Sequence, residues 1–122
     1  MLRTLFARPK GRSVLAVAIA VCMPALTLAA PARAETAEIT IEIKDHKFLP
    51  AEVKVPSGTR IELTVKNSDS SAEEFESFEL GVEKVIAGNA SAIIRLKPLK
   101  KGSYDFFGEY HVETAQGKII AE

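Results

Sequence analysis

Hydrophobic and polar residues alternate in short segments along most of the chain after residue 38. Isoleucines at positions 39, 41 and 43 are separated by Thr40 and Glu42, a period of two that is typical of a strand with one buried face. Similar or β-rich segments follow at 53–55, 61–66, 73–80, 82–86, 92–96, 103–106 and 118–121. Turn-forming residues separate them at Pro56-Ser57-Gly58, at Asn67 to Ser71 and at Ala87-Gly88-Asn89. No segment shows a helical stripe.

Seven or eight short strands at this spacing predict an all-β fold. The expected architecture is a small Greek-key antiparallel β-sandwich or barrel. The alternation by itself does not distinguish this from an immunoglobulin-like sandwich.

The first 34 residues have a different pattern and are interpreted as a cleaved secretory signal peptide. A basic start is followed by an apolar run over 14–30, and Ala32-Arg33-Ala34 fits the small-x-small cleavage rule. We therefore predict export, a periplasmic location, and one folded domain over residues 35–122. One alternative is that this segment is a membrane anchor. A second is a lipoprotein signal ending at Cys22, although Val21 before it is bulky for such a signal.

Removal of this segment changes the composition. Residues 35–122 carry all 16 acidic residues but only 11 of the 16 basic ones, a net charge of −5 with neutral histidines. This charge disfavours nucleic acid and anionic membranes as partners and suits cation binding. Cys22, Met1 and Met23, the chain's sulfur-containing residues, all lie in the predicted signal peptide. A blue-copper centre needs a Cys thiolate, so the exported domain cannot form one.

Potential metal ligands occur in two places. The loop 108–116 holds Glu109, His111 and Glu113, and five glutamates lie within 73–83. A solvated polar loop and a solvated acidic strand face are the simpler readings of these segments. Carboxylates with imidazoles and no sulfur suit Mn, Fe(II), Fe(III), Zn and Cu(II), and they disfavour Cu(I). No nucleophile elbow, phosphate loop or catalytic triad is present.

Several motifs together resemble a small cupredoxin over nearly all of residues 35–122. They are Phe48-Leu-Pro-x-x-Val-x-Val-Pro-x-Gly58, a strand ending in Asn67, Tyr104-x-Phe and Gly117-Lys-Ile. In that pattern a Cys stands where Phe107 or Gly108 stands here, a His at His111 and a Met near Thr114 or Ala115. This chain keeps the His and lacks the Cys and the Met. It is most similar to cupredoxin-like periplasmic proteins without the copper Cys and to the amino-terminal domains of EfeO-type proteins. The residues that carry this likeness are Ala72-Glu-Glu-Phe-Glu-Ser77, Glu83-Lys-Val-Ile86 and Phe106-Phe-Gly-Glu-Tyr-His111.

This resemblance implies a metal site and a role in iron uptake. Glu74 and Glu76, which share one face of a strand while Phe75 faces the core, are expected to converge with Glu109 and His111 on an iron or copper ion. Weaker candidates are His46, Glu73 and Glu113. The implied partner is an inner-membrane iron permease, with ferrous oxidation as a further option that would need an electron acceptor. The alternatives are a periplasmic Cu(II) carrier or stress protein and a metal-free interaction module.

Overall fold

The residues that the structure describes contain nine strands and one short 3-10 turn. The structure is a computed structural model that describes residues 10, 11, 16, 18–21, 23–32 and 34–122. The elements are β1 (Thr36–Lys44), β2 (Lys47–Leu49), β3 (Glu52–Val55), β4 (Arg60–Asn67), β5 (Glu73–Ser77), β6 (Val82–Ile86), β7 (Ser91–Leu96), β8 (Gly102–Gly108), the 3-10 turn η1 (Glu109–His111) and β9 (Gln116–Ala121). All of them lie in the second of two compact units, Ala32–Glu122.

Sixteen of the 34 residues of the predicted signal peptide, Cys22 among them, lie outside the described residues. The described residues before Thr36 form no strand or helix. Within the described part of the chain, no helix combines the length and the apolarity needed to cross a bilayer.

The strands form two sheets, and the predicted β-sandwich is confirmed. One sheet has the order β2-β1-β4-β7 and the other β3-β9-β8-β5-β6. Five of the seven pairings between described strands are antiparallel, whereas β1–β4 and β3–β9 are parallel. Period-two alternation shows which face of a strand is buried but not which strand lies beside it, so these two parallel pairs could not be foreseen.

Three aromatic rings form a cluster within the core between the sheets. Phe48, Phe75 and Phe106 are each at most 2% exposed. Their ring centroids are 4.9 to 5.8 Å apart, with Phe48 edge-on to the other two and Phe75 stacked on Phe106. Aromatic pairs in these arrangements contribute beyond the area they bury. Because β5 and β8 carry two of these rings, the core fixes the two strands from which the polar site described next extends.

Candidate metal centre

Strand β5 presents its acidic residues on two opposite faces. Phe75 faces the core and Glu74 and Glu76 are half-exposed on the other face, as the alternation predicts. The same alternation turns Glu73 inward, where its side chain is only 1% exposed. The run of glutamates is therefore divided between two separate clusters.

The buried Glu73 carboxylate is held by both of its oxygens. Its Oε1 accepts the N–H of Glu74 at 3.1 Å and that of Tyr110 at 3.0 Å. Its Oε2 lies 2.5 Å from Nδ1 of His111. Gly108 leaves room for this group, because a Cβ at that position would stand 2.7 Å from the Glu73 Cδ and equally close to Ala115. The carboxylate thus occupies the space that any side chain at position 108 would need.

The second imidazole reaches the same place from the opposite sheet. His46 is the second residue of the two-residue turn between β1 and β2, and its ring stacks on that of His111 with centroids 3.6 Å apart and planes 13° from parallel. His46, Glu73 and His111 each offer one ligand atom, and these atoms all lie within 4.8 Å of one another. The side chains of His46 and His111 are 44% and 28% exposed, so the cluster opens to solvent on its imidazole side.

Beside the imidazoles lies a surface cavity of about 360 Å³ that gives access to the cluster. It is lined by His46, Tyr110, His111, Val112, Glu113 and Thr114. Glu113 therefore stands at the entrance, in an exposed turn, and does not belong to the group whose ligand atoms lie within 4.8 Å.

The other acidic residues form an outer cluster on the exposed face of β5 and β6. Glu76 lies opposite Glu83 in the β5–β6 pairing. Partial burial, together with the negative charges of Glu109, Glu83 and Glu74, raises the pKa of Glu76. A hydrogen bond with Glu74 and the charge of that residue raise the pKa of Glu83. These two shifts indicate that the carboxyl groups of the outer cluster lie close to one another.

Glu109 and His111, predicted to converge on one ion, would both face it only in an extended loop, and this loop is not extended. Residues Glu109–His111 form the 3-10 turn, in which side chains two apart point about 120° away from each other. Glu109 is accordingly close to Glu76 and Glu83, whereas His111 contacts Glu73. Tyr110 lies between the two groups: its N–H binds Glu73, and a hydrogen bond from its hydroxyl to Glu74 raises the tyrosine's pKa.

The structure thus brings His111 together with two of the weaker sequence candidates, His46 and Glu73. It gathers Glu74, Glu76 and Glu109 in the outer cluster with Glu83. Which of the two groups holds a metal stays a prediction. The sequence did not identify one further residue beside His46. This residue is Asp69, whose carboxylate accepts hydrogen bonds from the turn that carries His46. No local signal in Asn67-Ser-Asp-Ser-Ser71 marks that long-range contact.

His46, Glu73 and His111 are called the inner group, and their ligand atoms determine which metals the group suits. Two imidazoles and one carboxylate, with no sulfur, fit Fe(II), Zn(II), Mn(II) or Cu(II), and coordination positions remain open towards solvent. They do not fit a thiolate copper centre. The two-sheet arrangement around this loop is that of a cupredoxin fold.

The chain belongs to the family described as "Cupredoxin-like domain", which matches residues 14–121. It is 51% identical over 83 residues to "Uncharacterized protein RP394" of Rickettsia prowazekii (strain Madrid E), a match that spans 68% of this chain and 66% of that protein.

Among solved structures, auracyanin A, described as a "blue" copper protein from Chloroflexus aurantiacus, superposes with a TM-score of 0.63 at 14% identity. That superposition covers 72% of this chain and all of auracyanin A. The metal-binding domain of the Cu(I)-exporting P-type ATPase CopA of Streptococcus pneumoniae D39 superposes with a TM-score of 0.61 at 19% identity. It covers 74% of this chain and 98% of that domain. These likenesses establish the fold.

Proposed function

We propose that this protein is an exported metal-binding accessory of an iron-uptake system. It holds Fe(II) or Fe(III) at His46, Glu73 and His111 in the periplasm and passes the iron to an inner-membrane permease. The observation that carries the proposal is the convergence of two imidazoles and one buried carboxylate within 4.8 Å at the surface of the domain. Two histidines and one carboxylate with open positions are the ligand set of many non-haem Fe(II) sites.

The position of the Glu73 carboxylate supports an oxygen-for-sulfur exchange at this site. The cupredoxin pattern places a Cys near Phe107 or Gly108, and here the carboxylate fills the space next to the Gly108 Cα. A harder oxygen ligand in place of a thiolate shifts the preference away from Cu(I) and towards Fe and divalent ions. The sequence likeness to iron-uptake proteins at 72–77 and 106–111 points to the same metal.

Uneven exposure of the three ligands suits a carrier. The carboxylate is buried and fixed by two backbone N–H groups, while both imidazoles reach solvent. A partner's ligands could therefore approach the metal from the imidazole side without unfolding the domain. Transfer of this kind requires no redox step. Ferrous oxidation is a separate property, which would show as consumption of Fe(II) under air faster than in buffer alone.

A Cu(II) carrier is the second candidate, and the names of the structural neighbours favour it. One is described as a "blue" copper protein and another as a domain of a Cu(I) exporter. Affinity alone does not separate the two metals, because Cu(II) binds almost any nitrogen and oxygen site more tightly than Fe(II) does.

The deciding experiment therefore combines binding with uptake. Purified protein is titrated by calorimetry with Fe(II) under anaerobic conditions, with Cu(II) and with Zn(II), and the titrations are repeated with His111→Ala and with Glu38→Gln, an exposed carboxylate on β1, as the matched control. We expect one site per chain that is lost in His111→Ala and unchanged in Glu38→Gln.

Cells lacking the protein are then tested for accumulation of radioactive iron and for copper tolerance. Reduced iron accumulation that the wild-type gene restores and the His111→Ala gene does not restore is the expected result. Normal iron uptake with impaired copper tolerance would establish the second candidate. Failure to bind any of the three metals would leave a metal-free interaction module.

A further inference from the structure

The turn that carries His46 has an unfavourable backbone conformation for its sequence. Lys44 pairs with Lys47, so Asp45 and His46 form a two-residue hairpin connection. Both have positive φ, 51° and 57°, as such a turn requires. Asn-Gly, Asp-Gly and Gly-Gly are the usual sequences here, so Asp45 suits its position, whereas His46 stands where glycine is usual. Contacts from another part of the molecule offset the cost of this conformation at His46.

Asp69, in the connection between β4 and β5, makes the stabilising contacts. Its Oδ1 accepts the N–H of Asp45 at 2.8 Å, and its Oδ2 accepts the N–H of His46 at 3.0 Å. The same Oδ2 lies 3.5 Å from Nδ1 of the His46 ring. One carboxylate thus binds both residues of the turn and also faces the imidazole that the turn presents.

Asp69 is itself held in place by its neighbours. Its N–H donates to Oδ1 of Asn67 at 3.0 Å, and its carbonyl accepts the N–H of Asn89 at 2.8 Å. The buried Asn67 side chain in turn donates to the carbonyl of Ser71 at 2.8 Å. The same connection leads directly into Glu73, so one segment of chain places a second ligand of the inner group as well.

We propose that Asp69 is a positioning residue of the metal centre: it holds the Asp45-His46 turn so that the His46 ring lies against His111 before a metal arrives. This inference rests on the proposed function. Asp69 contributes no ligand atom to the group; it acts through the backbone of the residue that does. A preformed pair of imidazoles lowers the reorganisation that binding requires, and partners of this kind commonly change metal affinity by about 10–100-fold.

The test uses Asp69→Ala together with a rescue variant. Asp45→Gly in the Asp69→Ala background relieves the strain at the first position of the turn without restoring the carboxylate, because glycine adopts positive φ freely. Asp69→Asn, which keeps one carbonyl oxygen for one of the two N–H groups, is the conservative variant in case Asp69→Ala does not fold. Asp105→Ala, which removes an exposed carboxylate on β8, is the matched control.

Two quantities are measured in each full-length variant. The first is Cu(II) affinity by competition with glycine, with the Cu(II) EPR spectrum recorded on the same samples. The second is the nuclear Overhauser contact between the His46 and His111 rings in the metal-free protein. We expect a 10–100-fold weaker affinity, an altered EPR spectrum and loss of the ring contact in Asp69→Ala. Asp69→Asn should be intermediate, and the glycine variant should recover both quantities in part.

An unchanged affinity and an intact ring contact in Asp69→Ala or Asp69→Asn would overturn the inference. A loss in Asp105→Ala as large as that in Asp69→Ala would also overturn it, because the effect would then not be specific to Asp69. If the wild-type protein binds no Cu(II) while Asp69 still controls the ring contact, the proposed function fails and the placement of His46 by Asp69 stands. If the protein binds metal normally and the Asp69 variants change neither quantity, the proposed function stands and the role of Asp69 fails.

Discussion

Replacement of Glu73 separates its two roles, which are to accept hydrogen bonds in the fold and to bind metal. In Glu73→Ala the N–H groups of Glu74 and Tyr110 both lose their acceptor. An unsatisfied buried donor costs about 1–3 kcal/mol. Because both bonds are only partly buried, we expect Glu73→Ala to lower the free energy of unfolding by about 2–4 kcal/mol in total.

Glu73→Gln retains a carbonyl oxygen for those two N–H groups and removes the negative charge. Its metal-free stability should therefore fall by only about 1 kcal/mol, the difference between charge-assisted and neutral hydrogen bonds. Metal binding should fall much further, because the amide nitrogen that replaces Oε2 is not a ligand. A loss of about 100-fold in affinity is the expected scale.

Urea unfolding with and without Zn(II) measures both effects. Zn(II) suits the same ligands and has no redox chemistry, and far-UV circular dichroism is the appropriate signal because the chain has no Trp. At Zn(II) equal to 100 times the wild-type Kd, the metal should add about 2.7 kcal/mol to the wild type and only about 0.4 kcal/mol to Glu73→Gln.

Glu38→Gln should behave as wild type in these measurements. Glu74→Gln, one residue from Glu73 but on the opposite face of β5, tests the outer cluster. Equal gains from Zn(II) in Glu73→Gln and wild type, with a lost gain in Glu74→Gln, would refute the assignment of the carboxylate ligand to Glu73.

Three further predictions follow from the surroundings of the two clusters. Gly108→Ala should destabilise the protein by about 1–3 kcal/mol and weaken Zn(II) binding, because the added Cβ would lie 2.7 Å from the Glu73 Cδ and the Ala115 Cβ. An unaffected melting temperature and an unaffected Kd for Zn(II) would contradict this. In a spectrophotometric titration of the two tyrosines, the pKa of Tyr110 should fall towards its ordinary value in Glu74→Ala, which removes the hydrogen-bond acceptor that is the leading cause of its elevation. A titration curve identical to wild type would rule this out. Glu83→Gln should stabilise the protein at pH 7, because the raised pKa of Glu83 means that its ionised form is disfavoured by folding. This gain in the free energy of unfolding should shrink as the pH falls through the raised pKa and vanish below the ordinary value of 4.5. A gain that persists in acid would show another cause.

Period-two alternation predicted the architecture well because burial determines it. It placed Phe75 in the core and Glu74 and Glu76 on the outer face, and both placements are observed. The same parity would have turned Glu73 inward, yet a buried carboxylate is costly unless partners compensate it. Those partners are the N–H of Tyr110 and the ring of His111, 37 and 38 residues away in sequence. The sequence therefore indicated which face Glu73 occupies, but it did not show the hydrogen-bond partners that make burial of its carboxylate possible.

The position of His46 could not be derived from the sequence around it. Asp-His is not a typical two-residue hairpin sequence, and the carboxylate that stabilises the turn belongs to Asp69, more than twenty residues further along the chain. The stacking of His46 on His111 likewise joins the two sheets rather than neighbours in sequence. Local patterns determine which face a residue occupies, and contacts of this kind depend on the assembled fold.

Crystals of the metal-loaded protein, analysed by anomalous scattering at the absorption edge of the added metal, test the central claim most directly. We predict one peak bonded to a nitrogen of His46, a nitrogen of His111 and an oxygen of Glu73, at about 2.0–2.2 Å from each. A peak held instead by Glu74, Glu76 and Glu109, with the Glu73 carboxylate still bound only to protein, would contradict the account.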